Sequence, residues 1–107
     1  MAFIATLTYE LDPETTPETR RLLRAELCGR RWQDRFEGRL MPAGCLWIRR
    51  TAPPGETVDD LKRTCERELL EAAAAVASTG RAARVRRAWV QVAGAGTWGL
   101  LAVDPSG

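Results

Sequence analysis

Two carboxylates near the start of the chain are the residues best placed to do chemistry. Glu10 and Asp12 stand two positions apart at the end of an alternating stretch, Ala2–Leu11, whose composition predicts a β-strand. Residues two apart on a strand share a face, and Mg²⁺ prefers carboxylate oxygens. The spacing therefore indicates a two-carboxylate Mg²⁺ site at a strand end, with flanking arginines to hold phosphates. The alternative is a solvated turn that is acidic because it faces the positive end of the next helix.

Arginine is the other residue type whose placement suggests a function. The chain has 16 basic and 14 acidic residues, all but one of the basic residues are arginine, and residues 20–50 hold nine arginines against three acids. Guanidinium groups bind phosphate in bidentate geometry, so these stretches indicate an acidic partner such as RNA or DNA. A soluble basic surface is the alternative. The candidate phosphate contacts are Arg30, Arg31, Arg35, Arg39, Arg49, Arg50, Arg84, Arg86 and Arg87.

Composition excludes several kinds of site. The chain contains no histidine, which removes Ser-His and Cys-His nucleophiles and the commonest zinc ligand. Cys28, Cys45 and Cys65 follow no metal-ligand spacing, so we expect small hydrophobic side chains in a reducing, cytoplasmic setting. No stretch resembles a signal peptide or reaches the ~20 apolar residues of a membrane span. We therefore expect one domain over residues 1–107, with no membrane partner.

The elements that position these residues follow from periodicity and caps. Thr16-Pro17 and Thr57 with Asp60 predict the starts of two helices, the first ending at Gly29 and the second at Gly80. Between them, residues 31–51 predict a β-hairpin with its turn at residues 41–44. Its first strand should place Trp32, Phe36 and Leu40 on one face and Arg35 and Arg39 on the other. Strands over residues 84–92 and 97–103 complete the chain.

The order of elements predicts an α+β fold. The series β-α-β-β-α-β is typical of a ferredoxin-like sandwich, an antiparallel sheet with two helices on one face, here with an extra C-terminal strand. Four tryptophans are too many for one side of a small sheet. We expect some to lie on the uncovered face and to be buried in a homodimer. The interface candidates are Trp47, Trp89 and Trp98.

The chain also resembles a known family in two places. The first strand ends Thr8-Tyr9-Glu10-Leu11-Asp12, and Leu40-Met41-Pro42-Ala43-Gly44-Cys45-Leu46-Trp47-Ile48 leads into the third strand after an entry through Trp32. These features resemble the small CRISPR-associated ferredoxin-like proteins, the minor subunit of the spacer integrase, and the related GhoS-type antitoxins. The resemblance implies a dimer in which both subunits contribute a strand-end Asp to divalent-metal-dependent phosphodiester cleavage. Glu10 stands at that Asp position, with Asp12 two residues later.

Two hypotheses follow. The first is a dimeric nucleic-acid-associated protein of a defence system, either an antitoxin-like binder or an endoribonuclease-like enzyme with Mg²⁺. Tryptophans interleaved with the candidate arginines could stack on bases, but the chain lacks the aromatic-rich signature of RNA-recognition domains, so we expect binding without sequence specificity. The second is a non-catalytic dimeric module that binds a protein or a small molecule.

Overall fold

The computed structural model of the chain describes residues 2–94. The elements, in chain order, are β1 (Ala2–Leu11), α1 (Pro17–Gly29), β2 (Arg35–Phe36), β3 (Arg39–Leu40), β4 (Cys45–Thr51), α2 (Val58–Ala77) and β5 (Val85–Gly94). This order confirms the predicted mixed α+β class. The strand predicted for residues 97–103, including Trp98, lies outside the described residues.

The main sheet has three strands in the order β4-β1-β5, and both pairings are antiparallel. β1 is therefore central, as its content of apolar and β-branched residues on both faces predicts. Leu7 lies opposite Leu46 on one side and Val90 on the other. Since directly paired residues share a face, this register aligns the apolar positions of all three strands toward the core.

Both helices pack against the same face of the sheet, because odd-numbered residues of β1 share one buried cluster with both helices. That cluster includes Ala5, Leu7 and Leu11 of β1, Leu23 and Leu27 of α1, and Cys65, Leu69, Ala72 and Val76 of α2. The opposite side, here called the outer face, carries Thr6, Thr8 and Glu10 of β1, with Trp47 of β4 and Trp89 of β5 opposite the two threonines.

The caps predicted from the sequence set the start of each helix. The Thr16 hydroxyl accepts the Thr19 N–H at 3.2 Å, and Pro17 follows at the first helical position. Thr57 and Asp60 form a reciprocal capping box before Val58. Within residues 2–94, neither helix is long and apolar enough to cross a membrane.

α1 ends at Gly29, as the sequence predicts, but the residue that adopts the left-handed capping conformation is Arg31. Arg31 adopts the left-handed conformation, with φ of 78°. Its N–H donates to the Cys28 carbonyl, and the Trp32 N–H donates to the Leu27 carbonyl, both at 3.1 Å. This pair of bonds is the Schellman motif, whose left-handed position is usually glycine. Gly29 itself lies within the helix.

The segment after α1 folds differently from the predicted long strand. β2 and β3 pair with each other through a turn at Glu37 and Gly38, whose φ values are 51° and 78°. Two successive positive φ values match a type I′ turn, which reverses the chain within two residues. Arg35 consequently faces Leu40, and Phe36 faces Arg39, so the predicted separation of the two arginines from Phe36 and Leu40 is wrong. An isolated bridge between Gln33 and Trp47 connects this segment to β4.

Candidate functional site

Glu10 lies on the outer face and is engaged by an arginine of the neighbouring strand. The two oxygens of its carboxylate lie 3.1 Å from Nε and 3.4 Å from Nη2 of Arg87, the residue directly opposite in β5. This is a two-pronged contact of the kind that guanidinium geometry favours. A metal ion at Glu10 would compete with Arg87 for this carboxylate.

Asp12 follows the last residue of β1 and stabilises the turn into α1. Its Oδ1 accepts the Glu14 N–H at 2.9 Å, and its backbone carbonyl accepts a hydrogen bond from Arg20 at 3.0 Å. These contacts are those of an Asx turn, in keeping with the alternative interpretation of this acidic stretch. Among residues 2–94, no group of three or more His, Cys, Asp or Glu side chains lies close enough to hold a metal ion. Within a single chain, Glu10 thus belongs to an ion pair and Asp12 to a turn.

The nine candidate arginines fall into three places. Arg35 and Arg39 lie on the β2-β3 hairpin, whereas Arg84, Arg86 and Arg87 lie at or beside β5, on the far side of β1 from β4. The remaining four line one shallow cleft of about 380 Å³ beside β4, which we call the edge cleft; its lining residues are Arg30, Arg31, Gln33, Ile48, Arg49 and Arg50.

Two arginines of the edge cleft are held in position by carboxylates. Arg30 is half-buried and lies 3.2 Å from both Glu26 and Glu71. Arg50 pairs with Glu68, and its guanidinium stands over the buried ring of Trp32 at 5.7 Å from the centroid. Burial lowers the pKa of Arg50, but its hydrogen bond and ion pair with Glu68 outweigh that effect and raise the pKa overall. These two cations are therefore fixed parts of the cleft wall.

The other two arginines of the edge cleft carry uncompensated charge. Arg31 and Arg49 are exposed, and neither guanidinium makes an ion pair or hydrogen bond with another residue of the described range. Arg49 projects from β4 on the outer face, opposite Ile4. The edge cleft thus presents two guanidinium groups available to an anion, beside two that are already oriented.

The described tryptophans have three different environments: the core, a contact with the β2-β3 hairpin, and solvent. Trp32 is 1% exposed and belongs to the core. Trp47 packs edge-on against Phe36 with ring centroids 5.4 Å apart, and its Nε1 donates to the Arg35 carbonyl at 2.7 Å. The hairpin therefore covers part of Trp47, one of the predicted interface residues. Trp89 stays 51% exposed on the outer face, and Trp98 lies outside the described residues.

A second cleft, which we call the tyrosine cleft, contains arginines that the sequence analysis left out. It measures about 360 Å³ and lies between the end of β1, the first turns of α1 and the loop before β4; Tyr9, Glu10, Arg20, Arg21, Arg24 and Gly44 are among its lining residues. Arg20 and Arg24 stand one helical turn apart, a spacing visible in the sequence. Their proximity to Tyr9 depends on how α1 packs against β1, which the spacing alone does not give.

Two of the three thiols have raised pKa values. Burial raises the pKa of Cys65 to about 11, and burial followed by the charge of Asp34 raises the pKa of Cys28. Both groups are consequently neutral thiols near pH 7. A nucleophilic cysteine needs a lowered pKa, so neither group is activated as a nucleophile. All three cysteines are free, and only Cys65 is fully buried.

Comparison of the chain with family models, with curated proteins and with solved structures finds no match.

Proposed function

We propose that this protein is a homodimeric nucleic-acid-associated protein that binds the sugar-phosphate backbone in the edge cleft. The observation that carries the proposal is the meeting of four arginines at the β4 side of the sheet, two of them without acidic partners. Consecutive phosphates of a nucleic acid offer the repeated negative charge that such a cleft can neutralise.

The arrangement of the arginines supports contact with more than one phosphate. Arg30 and Arg50 are anchored by Glu71 and Glu68, so they lose little conformational freedom on binding. Arg31 and Arg49 supply the unpaired charge. Arg31 also holds a left-handed backbone at a position where glycine is the usual residue. Strained backbone of this kind clusters at functional sites, which supports a role for this side chain.

The proposed recognition is independent of base sequence. Trp32 is buried beneath Arg50 and has no free face for a base. Base-specific RNA recognition usually needs exposed aromatic side chains on which bases stack. Because Glu10 already holds Arg87, we propose binding without strand cleavage.

The proposal includes a ferredoxin-like arrangement. It is supported by a central β1 with antiparallel neighbours, by two helices on one face, and by the Gln33–Trp47 bridge where a fourth strand would flank β4. A relationship to the small CRISPR-associated proteins and GhoS-type antitoxins stays a prediction from the resemblance.

Fluorescence anisotropy with labelled single-stranded RNA and duplex DNA, each over a series of salt concentrations, tests the edge cleft. The double variant Arg31→Gln, Arg49→Gln should weaken binding at least about tenfold, because two charged contacts are lost. The slope of log K against log[salt] should fall in magnitude by about 1.4 on single-stranded RNA and by about 1.8 on duplex DNA.

The matched control is Lys62→Gln, Arg63→Gln, which removes the same two charges from α2, where both side chains pair only weakly with acids. This control should retain wild-type affinity apart from a small general salt effect. Equal weakening by both double variants would mean that binding depends on net charge and not on the edge cleft. No measurable binding by the wild-type protein would overturn the proposal.

A further inference from the structure

We infer that the tyrosine cleft is a second anion site, separate from the edge cleft, which binds a phosphate monoester group. Its volume of about 360 Å³ falls within the range of small-molecule pockets. The two clefts lie at opposite ends of α1: the edge cleft is formed by the residues that follow α1 and by β4, and the tyrosine cleft by the first half of α1 and the end of β1.

Arg24 is the central cation of this site. Its side chain is half-buried, and its guanidinium makes no ion pair or hydrogen bond with another residue of the described range. A partly desolvated guanidinium without a counter-ion is costly, since a charge away from water needs a partner. The position of Arg24 in a cleft leaves room for an external anion to supply that partner.

Arg20 gives the cleft a second, fixed cation. Its Nε donates to the Thr15 carbonyl at 3.2 Å, and its Nη2 donates to the Asp12 carbonyl at 3.0 Å. These bonds use two of the five guanidinium donors and hold the group at the β1–α1 connection. Arg21 lines the same cleft and has a long contact of 3.7 Å with Glu18. Three arginines thus border one small space.

The acidic residue at the cleft does not cancel these charges. Glu10 contributes to the lining, but its carboxylate is engaged by Arg87 from β5. The net charge around the cleft is therefore positive. A phosphate monoester carries nearly two negative charges at neutral pH and several acceptor oxygens, so it suits several guanidinium donors better than a single carboxylate does.

Tyr9 supplies a neutral donor beside the arginines. Burial raises the pKa of its hydroxyl, although the charge of Arg24 opposes the shift, and the group stays protonated at neutral pH. The hydroxyl makes no hydrogen bond with another described residue. It is therefore free to donate to an anion, and the ring offers an apolar surface to the organic part of the ligand.

Gly44 fixes the loop wall of the cleft. The Tyr9 N–H donates to the Gly44 carbonyl at 2.9 Å, and Gly44 has φ of 73°. A Cβ atom at this position would stand 2.6 Å from the Tyr9 carbonyl oxygen, a distance at which the backbone would have to move. The close approach of loop and strand that forms the cleft consequently requires glycine here.

Titration of the ¹⁵N-labelled protein with phenyl phosphate, followed by amide chemical shifts, tests the inference. We expect saturable shifts at Tyr9, Arg24 and Gly44, with affinity reduced at least about tenfold in Arg24→Gln and about threefold or more in Tyr9→Phe. Tyr9→Phe keeps the ring and so separates a lost donor from a lost fold. Arg63→Gln, on the exposed side of α2, should bind as the wild type does.

Further arms separate the two clefts and the source of the phosphate. The edge-cleft variant Arg31→Gln, Arg49→Gln should bind phenyl phosphate normally, so failure of one proposal leaves the other intact. Oligonucleotides with a 5′-phosphate or a 5′-hydroxyl distinguish a strand terminus from a small phosphate ester. If a strand terminus is the ligand, the oligonucleotide with the 5′-phosphate should shift these amides and the one with the 5′-hydroxyl should not. The absence of saturable shifts at the cleft, or shifts that persist unchanged in Arg24→Gln, would overturn the inference.

Discussion

Arg31 joins a strained backbone to an unpaired charge. Its φ of 78° places an arginine where the Schellman motif at the end of α1 favours glycine, and its guanidinium projects at the edge cleft without an acidic partner. For a residue with a Cβ atom, the left-handed conformation costs about 1–2 kcal/mol relative to the right-handed one. Stability and binding therefore make opposite demands on this position.

Replacing Arg31 with glycine should separate these two demands. We expect Arg31→Gly to raise the free energy of unfolding by about 1 kcal/mol, because the strain is relieved while the two capping hydrogen bonds remain. The affinity for RNA should fall at the same time, because a phosphate contact is lost. Urea denaturation and anisotropy on the same preparation measure both quantities. A destabilised variant, or one with wild-type affinity, would contradict this account of Arg31.

The contacts of Glu10 and Asp12 lead to an expectation for divalent cations. Because Glu10 is paired with Arg87 and Asp12 caps a turn, we expect Mg²⁺ to leave the thermal unfolding midpoint unchanged. A thermal scan with and without Mg²⁺ gives the answer, with the double variant Glu10→Gln, Asp12→Asn as control. A midpoint that rises with Mg²⁺ in the wild type but not in the variant would support a metal site at Glu10 and Asp12, and cleavage assays would then follow.

At the scale of elements, features that act locally were predictable. Both helix starts depend on contacts within three residues, Thr16 to Thr19 and Thr57 to Asp60, so spacing alone indicates them. The hairpin was harder, because an alternating run does not reveal which of two glycine-containing turns reverses the chain. Gly38 and Gly44 both adopt positive φ, and the turn at Gly38 divides the predicted strand.

Side-chain pairing in the candidate site could not be predicted from the sequence either. Arg30 and Arg50 both stand among the predicted phosphate contacts, but the acids that hold them across the fold, Glu71 and Glu68, lie 41 and 18 positions away in the sequence. Pairing over such distances depends on how α2 packs, which periodicity does not specify. The tyrosine cleft was missed for this reason too, since Tyr9, Arg24 and Gly44 come from three separate elements.

The capping box of α2 predicts how acid affects this helix. Hydrogen bonds first from the Thr57 N–H and then from its hydroxyl lower the pKa of Asp60 below its usual value of 3.8. A group whose pKa is lowered by folding adds stability above its unfolded pKa, and that contribution is lost as pH falls through the folded value. Asp60→Asn should therefore reduce stability at pH 7, and the difference from wild type should shrink below pH 3.8.

Thermal unfolding at several pH values measures this difference. Asp59→Asn is the matched control, because it removes the same charge from the same helical turn but leaves the Thr57 cap intact, and Asp59 has only a 4.0 Å contact with Lys62. A pH profile in which both variants behave alike would attribute the effect to the helix dipole rather than to the capping box.

At the scale of the whole molecule, the outer face is the surface on which the proposed dimer depends. Trp89 is 51% exposed there and lies near Arg87, whose guanidinium stands 5.9 Å from the ring centroid. Trp47 is partly covered by the hairpin, so the β5 half of the outer face presents the larger apolar contact. Exposed aromatic residues are enriched at the centres of interfaces between proteins.

A change at Trp89 should therefore break the proposed dimer. We expect light scattering after size exclusion to give the dimer mass for the wild type and the monomer mass for Trp89→Lys. Leu70→Lys is the matched control, because Leu70 is 62% exposed but lies on α2, which packs against the other face of the sheet. A monomer mass for the wild type at high concentration would exclude the homodimer, and a dimer for Trp89→Lys would exclude this face as its interface.

The central position of β1 has a consequence for how the chain acquires its structure during synthesis. Phe3 pairs with Arg50 on one side and with Gly94 on the other, so β1 has partners that are made much later than β1 itself. Contacts between residues so distant in sequence slow folding, because a long loop must close before the contact forms. α1 and α2, by contrast, can form their own turns as soon as their residues are available. Because β4 is made before β5, the nascent chain can pair β1 with β4 while the other edge of β1 stays open. That edge closes only when β5 is released, and in this interval the apolar strand is most exposed to aggregation.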